Sequence, residues 1–255
     1  MITFDFETKS YADLPKVGAW AYSEDPTTDV ICACWGIDYD PIQTWWPGKT
    51  AAMPEDLHDA ITQGQEVEAH NVAFERSIWQ NVMVRKYGWI LPEDYQWRDT
   101  MAVANYYALP AALDKLSKVL GYEGKDPEGG RLISKYSKLN LKTAKPEIPE
   151  KDFEKFVQYC IKDVELEQAV SDDLGQLPDR ELPHFLLDQK INTRGLYLDR
   201  AGIDKATEVV DQRAETLTEE FVELVGLRPT QRDKVQEWFA EQGLPLDNLQ
   251  KMYLT

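Results

Sequence analysis

The chain of 255 residues is 43% hydrophobic and 29% charged, which suits a folded protein with a buried core rather than a disordered one, and its apolar runs are too short to span a membrane. With 28 Lys+Arg against 45 Asp+Glu the formal net charge is -17, which argues against a protein that grips nucleic acid through a wide basic face, so any such contact must be local or metal-mediated. Cys32, Cys34 and Cys160 have neither Cys-x-x-Cys spacing nor a nearby histidine pair, so neither a disulfide framework nor a zinc site is indicated, and MITFDFET carries no secretory leader; reduced thiols and a cytoplasmic location are expected.

Residues 2–7 alternate Ile2, Phe4, Phe6 with Thr3, Asp5, Glu7, the period of a strand, which places Asp5 and Glu7 side by side on the face opposite the apolar residues. Val30–Ile37 and Ile42–Trp46 predict two more strands in an antiparallel meander, with a turn over Asp38–Pro41 and a stop at Pro47-Gly48. A helix over Glu55–Thr62, a short segment Glu66–Ala69 and a helix over Phe74–Lys86 closed by Gly88 come next. Trp97–Leu109 reads as a helix starting near Asp99 or Thr100, and Leu113–Leu120 as another ending at Gly121.

The stretch Glu123–Glu147 holds Gly124, Pro127, Gly129, Gly130 and Pro146, with Arg131, Lys135, Lys138, Lys142 and Lys145 in its second half, and predicts a long, mobile, locally basic loop or short helix. Glu150–Leu174 has helical spacing at Phe153, Phe156, Val157, Cys160, Ile161, Val164 and Ala169. Beyond Gly175–Pro183 come long amphipathic helices: Arg200–Val225, with Asp199 as N-cap and Gly226 as terminator, and Gln231–Gln242. The stripe Ile203, Ala206, Val210, Leu217, Phe221, Leu224 is too thin to form a domain by itself and must pack on something. Strands first and then strands alternating with helices predict a mixed α/β sheet.

Three segments carry chemistry. Asp5 and Glu7 on one strand face stand about 7 Å apart along the chain, a spacing that hard divalent cations bridge through oxygen ligands, although an acidic chain contains about one such tripeptide by chance. In AHNVAFERSIW, residues 69–79, Asn71 falls at a strand-to-helix junction and Glu75 in the first turns of the helix, positions that equally suit a cap and a favourable charge at the helix's positive end. In YCIKD, Tyr159 and Asp163 are i and i+4 on one helix face. PGKT at 47–50 lacks the earlier glycine of a phosphate-binding loop, whose position is held by Gln43, so triphosphate hydrolysis is not indicated.

The order of these segments resembles the 3′–5′ proofreading exonuclease domain of bacteriophage family-A DNA polymerases, the DEDDy group of the ribonuclease H-like fold. FDFETKSYADLPKVGAWAYSEDPTTDVICACWGID is similar to the opening block of that family, AHNVAFERSIW to its second exonuclease motif and YCIKDVELEQAV to its third. LDQKINTRGLYLDRAGI resembles the segment leading into the polymerase domain, and Thr230–Leu244 resembles the stretch immediately beyond that segment.

The resemblance implies a ribonuclease H-like mixed sheet flanked by helices over residues 1–175 and, over 176–255, a helical extension like the start of a polymerase domain. It implies Asp5, Glu7, Glu75 and Asp163 as metal ligands and Tyr159 as the group that orients the attacking water, with Thr8 and Asn71 near the substrate's 3′ end or in strand-end and capping roles. Glu75 departs from the family's Asp, and Gln158 sets the chain apart from the histidine variant of the group. Four carboxylates in one cleft repel one another without a counter-charge, which two Mg²⁺ or Mn²⁺ ions supply in phosphodiester hydrolysis.

The implied function is a 3′–5′ exodeoxyribonuclease that releases 5′-mononucleotides from single-stranded DNA or a frayed 3′ end. The basic stretch Arg131–Lys145 would serve as a substrate rim, and residues 183–255 would dock on a polymerase domain or chain, as in a split or truncated phage enzyme. A structural subunit with little nuclease activity and an RNA-directed exonuclease are the alternatives; the carboxylates and Tyr159 disfavour the first, and the polymerase-like segment the second.

Overall fold

The computed structural model describes residues 1–38, 40–124, 127–139, 147–246 and 248–249. Two compact units divide the chain, Met1–Arg194 and Gly195–Thr255.

The first unit is built on five strands: β1 (Ile2–Lys9), β2 (Asp29–Ile37), β3 (Gln43–Trp45), β4 (Val67–Ala69) and β5 (Trp97–Asp99), in the spatial order β3-β2-β1-β4-β5. β1, β2 and β3 form the antiparallel meander that alternation predicts, while β4 and β5 join parallel to β1 and to each other. Parallel pairing needs crossover connections, supplied by α2 (Glu55–Thr62) before β4 and α3 (Val72–Ile78) after it. α3 runs on as a wider π-type segment, Trp79–Tyr87, closed by Gly88 at φ 70°. The sheet with its flanking helices is an α/β, ribonuclease H-like fold, followed by a helical C-terminal segment.

One sheet face carries Ile2, Phe4, Phe6, Ala33, Trp35, Val67 and Trp97 into a fully buried core. Trp79 is its hub, packing edge-on or tilted against Phe4, Phe6, Trp89 and Trp97 with ring centroids 4.7–5.9 Å apart. The opposite face, carrying Asp5, Glu7, Cys32 and Cys34, lies under α7 (Glu150–Leu174). Both faces are therefore covered, and Glu7 is only 7% exposed.

Two elements depart from the sequence reading. Trp97–Asp99 is a strand, and the helix α4 (Thr100–Tyr106) starts only after it, because three residues that satisfy helical spacing pair with β4 instead. Helix α1 (Leu14–Glu24), unforeseen in the sequence, carries Gly18 at φ 77° inside it and buries only Tyr22 and Ser23, so its apolar periodicity is faint. α5 (Leu113–Leu120) and α7 begin and end as expected, α6 (Pro127–Leu132) continues into a π-type turn Ile133–Ser137, and α8 (Leu182–Arg194) returns Phe185 to the core. In the second unit, α9 (Arg200–Val225) has its predicted cap, Asp199 accepting from the Gly202 N–H at 2.9 Å, and its predicted stop at Gly226; α10 spans Arg232–Glu241. No helix among the described residues is long and apolar enough to cross a membrane.

Asp99, at the end of β5, joins two helix starts: its Oδ1 accepts from the backbone N–H of Asn71 and of Met101, each at 2.9 Å. Burial lifts its pKa to about 6 against these N–H donors. A carboxyl with a raised folded-state pKa favours the protonated folded state, so its stabilisation is complete below about pH 4 and is lost as pH rises through about 6, a change of roughly 3 kcal/mol. Asp99→Asn keeps the acceptor and cannot ionise. Urea unfolding at stepped pH is expected to show a flatter dependence between pH 4 and 6 for this variant than for the parent chain; identical slopes would assign that dependence elsewhere.

Candidate metal centre

Alternation on β1 sends Asp5 and Glu7 to the α7 face, and the helical spacing of α7 brings Asp163 down onto them. One oxygen from each of Asp5, Glu7 and Asp163 lies within 4.8 Å of the others, with Glu7 7% and Asp163 3% exposed. Opposite Glu7 and Thr8 the β1–β2 register slips: Glu7 faces Cys32 and Thr8 faces Val30, leaving Ile31 as an extra residue in β2. The bulge turns Ile31 and Cys32 both toward the α7 side, where Ile31 packs with Leu132, Tyr136 and Phe156.

The acids form one wall of a cavity of about 610 Å³. Glu75 on α3 and Tyr159 on α7 line the same cavity, both largely buried, though Glu75 lies outside the trio of mutually close oxygens. Thr8 also lines it, with its hydroxyl 2.9 Å from the Tyr22 hydroxyl, so it ties the strand end to α1 as well as facing the space. Asn71 does not belong to the lining. It is exposed, sits at φ 69°, and makes no side-chain cap to α3; the neighbouring Asp99 binds its N–H instead.

Lys138 is the only Lys or Arg among the described residues lining the cavity, and a short backbone bridge holds it there: Ser10 N–H donates to Ser137 O at 3.0 Å and Leu139 N–H to Ser10 O at 2.9 Å. Lys135 is 3.2 Å from Asp152 and stands over the Tyr136 ring. Lys142 and Lys145 lie outside the described residues.

Four further residues around the site escaped the sequence reading. His70 lines the cavity; its Nε2 donates to the Ala111 carbonyl at 2.8 Å, and its Nδ1 is hydrogen-bonded with the Thr100 hydroxyl at 2.9 Å. Glu167, 3% exposed and one helical turn beyond Asp163, adds a further carboxylate to the lining, a position that i, i+4 spacing on α7 makes legible. Gly129 of α6 is set so close to the Tyr159 ring that a Cβ there would fall 2.1–2.7 Å from three ring atoms. Cys160, between Tyr159 and Asp163, places its Sγ 3.2 Å from Asp5 Oδ2, and burial pushes its thiol well above the usual range, so it is a donor.

The donor set fits hard divalent cations. It consists of carboxylate oxygens brought together from β1 and α7, the ligand class that Mg²⁺ and Mn²⁺ select. The buried cysteines stand behind the acids rather than among them, and no described histidine belongs to the cluster, so a tetrahedral zinc site of nitrogen and sulfur ligands is not what is built.

No family model matches the chain. Its sequence is 30% identical over 263 aligned positions to a DNA polymerase of Bacillus phage SP02, a match that takes in 98% of this chain and 40% of that protein. The chain is thus related to a phage DNA polymerase and spans about two fifths of its relative's length.

Proposed function

We propose that this polymerase relative is a metal-dependent 3′–5′ DNA exonuclease of the proofreading type, with residues 1–175 carrying the chemistry. The observation that supports this most is the convergence of Asp5, Glu7 and Asp163 within 4.8 Å on the wall of a cavity that Glu75 and Tyr159 also line. The cavity of about 610 Å³ falls within the range of sites that take a small ligand, here a terminal nucleotide.

Asp5, Glu7 and Asp163, with Glu75 nearby, are the residues that would hold two Mg²⁺ or Mn²⁺ ions. Bound there, the cations would supply charge neutralisation, activation of water and stabilisation of the leaving 3′-oxygen. The Tyr159 hydroxyl orients the water that attacks the terminal phosphodiester, and in-line displacement releases a 5′-mononucleotide without a covalent intermediate. Lys138 supplies a positive charge for a backbone phosphate, the local contact required of a chain with a net charge of -17. Phe6, Leu14, Phe74 and Leu113 give the cavity the apolar walls on which a base and sugar rest.

We also propose a polymerase domain or chain as the partner of the C-terminal segment. The 26-residue α9 buries none of its residues, and Ile203, Val210, Leu217 and Leu224 remain exposed on it.

The test is incubation of the purified chain with 5′-labelled single-stranded DNA and Mg²⁺ or Mn²⁺, beside Asp5→Ala and an RNA of the same sequence. A ladder shortening from the 3′ end is expected, absent with chelator and absent in the variant. Silence on both substrates, with and without a polymerase partner, would leave the scaffold reading, and a ladder on RNA alone would move the substrate class.

A further inference from the structure

We propose that Cys160 is a positioning residue for Asp5, its thiol holding the carboxylate in the orientation that meets Glu7 and Asp163. This rests on the metal-site reading above. The Cys160 Sγ lies 3.2 Å from Asp5 Oδ2 and 3.5 Å from the Asp5 carbonyl oxygen, and the residue is wholly buried.

The surroundings explain why a thiol stands there. The cross-strand partners of the two β1 acids are both cysteines, Asp5 facing Cys34 and Glu7 facing Cys32, and with Cys160 and Val164 they form one buried cluster between the sheet and α7. Small side chains in that layer let α7 approach β1 closely enough for Asp163 to reach Asp5 and Glu7. A larger residue at 160 would lift the helix, and Asp163 with it. Alanine would keep the spacing and remove the donor that the half-buried Asp5 carboxylate meets on this side. The thiol answers both needs: it is compact, tolerates apolar neighbours and still donates. Cys160 also lies one residue after Tyr159 and three before Asp163, so a single helix sets its own metal ligand, the water-orienting hydroxyl and the support for the ligand on β1.

The experiment measures Mn²⁺ binding directly, by the free-ion electron paramagnetic resonance signal, in the parent chain, Cys160→Ala, Cys160→Ser, Asp5→Ala and the Asp5→Ala/Cys160→Ala pair. Removing an outer partner of a metal ligand weakens binding about 10–100-fold, and a thiol, as a weak donor, belongs at the lower end. Cys160→Ala is therefore expected to raise the Mn²⁺ dissociation constant about tenfold. Cys160→Ser, which restores a donor of similar size, should return it to within about threefold of the parent, and Cys160→Ala should add nothing in the Asp5→Ala background. Unchanged Mn²⁺ affinity in folded Cys160→Ala, or equal losses with and without Asp5, would overturn the proposal. Should Cys160→Ala fail to fold, a tenfold loss in folded Cys160→Ser would do the same. A parent chain that binds Mn²⁺ in this Cys160-dependent way and cleaves no DNA, with or without a polymerase partner, would refute the exonuclease reading while upholding the Cys160–Asp5 coupling.

Discussion

Asp163→Ala is expected to lower phosphodiester hydrolysis by about 10³-fold or more while the melting temperature stays level or rises. Asp163 is 3% exposed and brings a carboxylate oxygen within 4.8 Å of those of Asp5 and Glu7. If these acids served only to shape the fold, a truncation at such a buried position would leave a cavity and cost stability. In a cluster of like charges the balance differs, because deleting one carboxylate relieves repulsion that the fold otherwise bears. α7 keeps its hold on the sheet through Phe156, Cys160 and Val164, and on α4 and α5 through Val170, so the helix stays in place. Steady-state hydrolysis with Mg²⁺, and thermal unfolding of the same preparation stripped of metal by chelator, separate the outcomes. Activity retained with unchanged metal dependence would remove Asp163 from the centre, and lost activity accompanied by a large drop in melting temperature would make its role structural.

Gly129→Ala should lower kcat by about 10²-fold and leave Mn²⁺ binding as it is. At Gly129 a methyl group would lie 2.1 Å from Tyr159 Cε2, 2.2 Å from Cδ2 and 2.7 Å from Cζ, separations that real carbon contacts do not reach. Either the Tyr159 ring turns aside or α6 lifts from α7. In both cases the hydroxyl moves by something on the order of 1 Å, which in a site that positions a nucleophile costs about two orders of magnitude in rate. The three atoms nearest to the added methyl all belong to the Tyr159 ring and not to Asp5, Glu7, Glu75 or Asp163, the residues proposed to hold metal, so metal affinity should not follow the rate. The Tyr159→Ala background is the control. With no ring to meet, the added methyl should change neither rate nor melting temperature beyond the effect of Tyr159→Ala itself. A folded Gly129→Ala chain with parental kcat would show that the ring is not held by α6, or that Tyr159 takes no part in the reaction.

Much of the fold was legible where its causes are local. α2, α5, α7 and α9 lie where helical spacing, caps and terminating glycines put them, since an N–H left without a partner or a positive φ is satisfied within a few residues of the chain. The β2–β3 pair was legible for the same reason, because the short connection between Ile37 and Gln43 fixes which strands pair, whereas β1 reaches β2 only across α1 and is matched to it by its apolar alternation. Trp97–Asp99 was misread as the first turn of a helix, because its strand character comes from parallel pairing with Val67–Ala69, about thirty positions earlier in the chain.

The acidic site divides along the same line. Alternation on β1 by itself placed Asp5 and Glu7 on one face, and i, i+4 spacing placed Tyr159 with Asp163. Tertiary structure decided that β1 and α7 meet so that three carboxylate oxygens come within 4.8 Å, that a bulge at Ile31 turns two adjacent β2 residues toward that helix, and that Asn71 stays outside the cavity while His70 and Glu167 line it. It also decided that the three cysteines, distributed in the sequence without a recognisable motif, form the layer behind the acids, and that Gly129 rests against Tyr159. Periodicity records which side of its own element a residue faces. What it meets there is set by sheet order and by how closely a helix can approach, quantities that belong to packed pairs of elements and are written in no single stretch of chain.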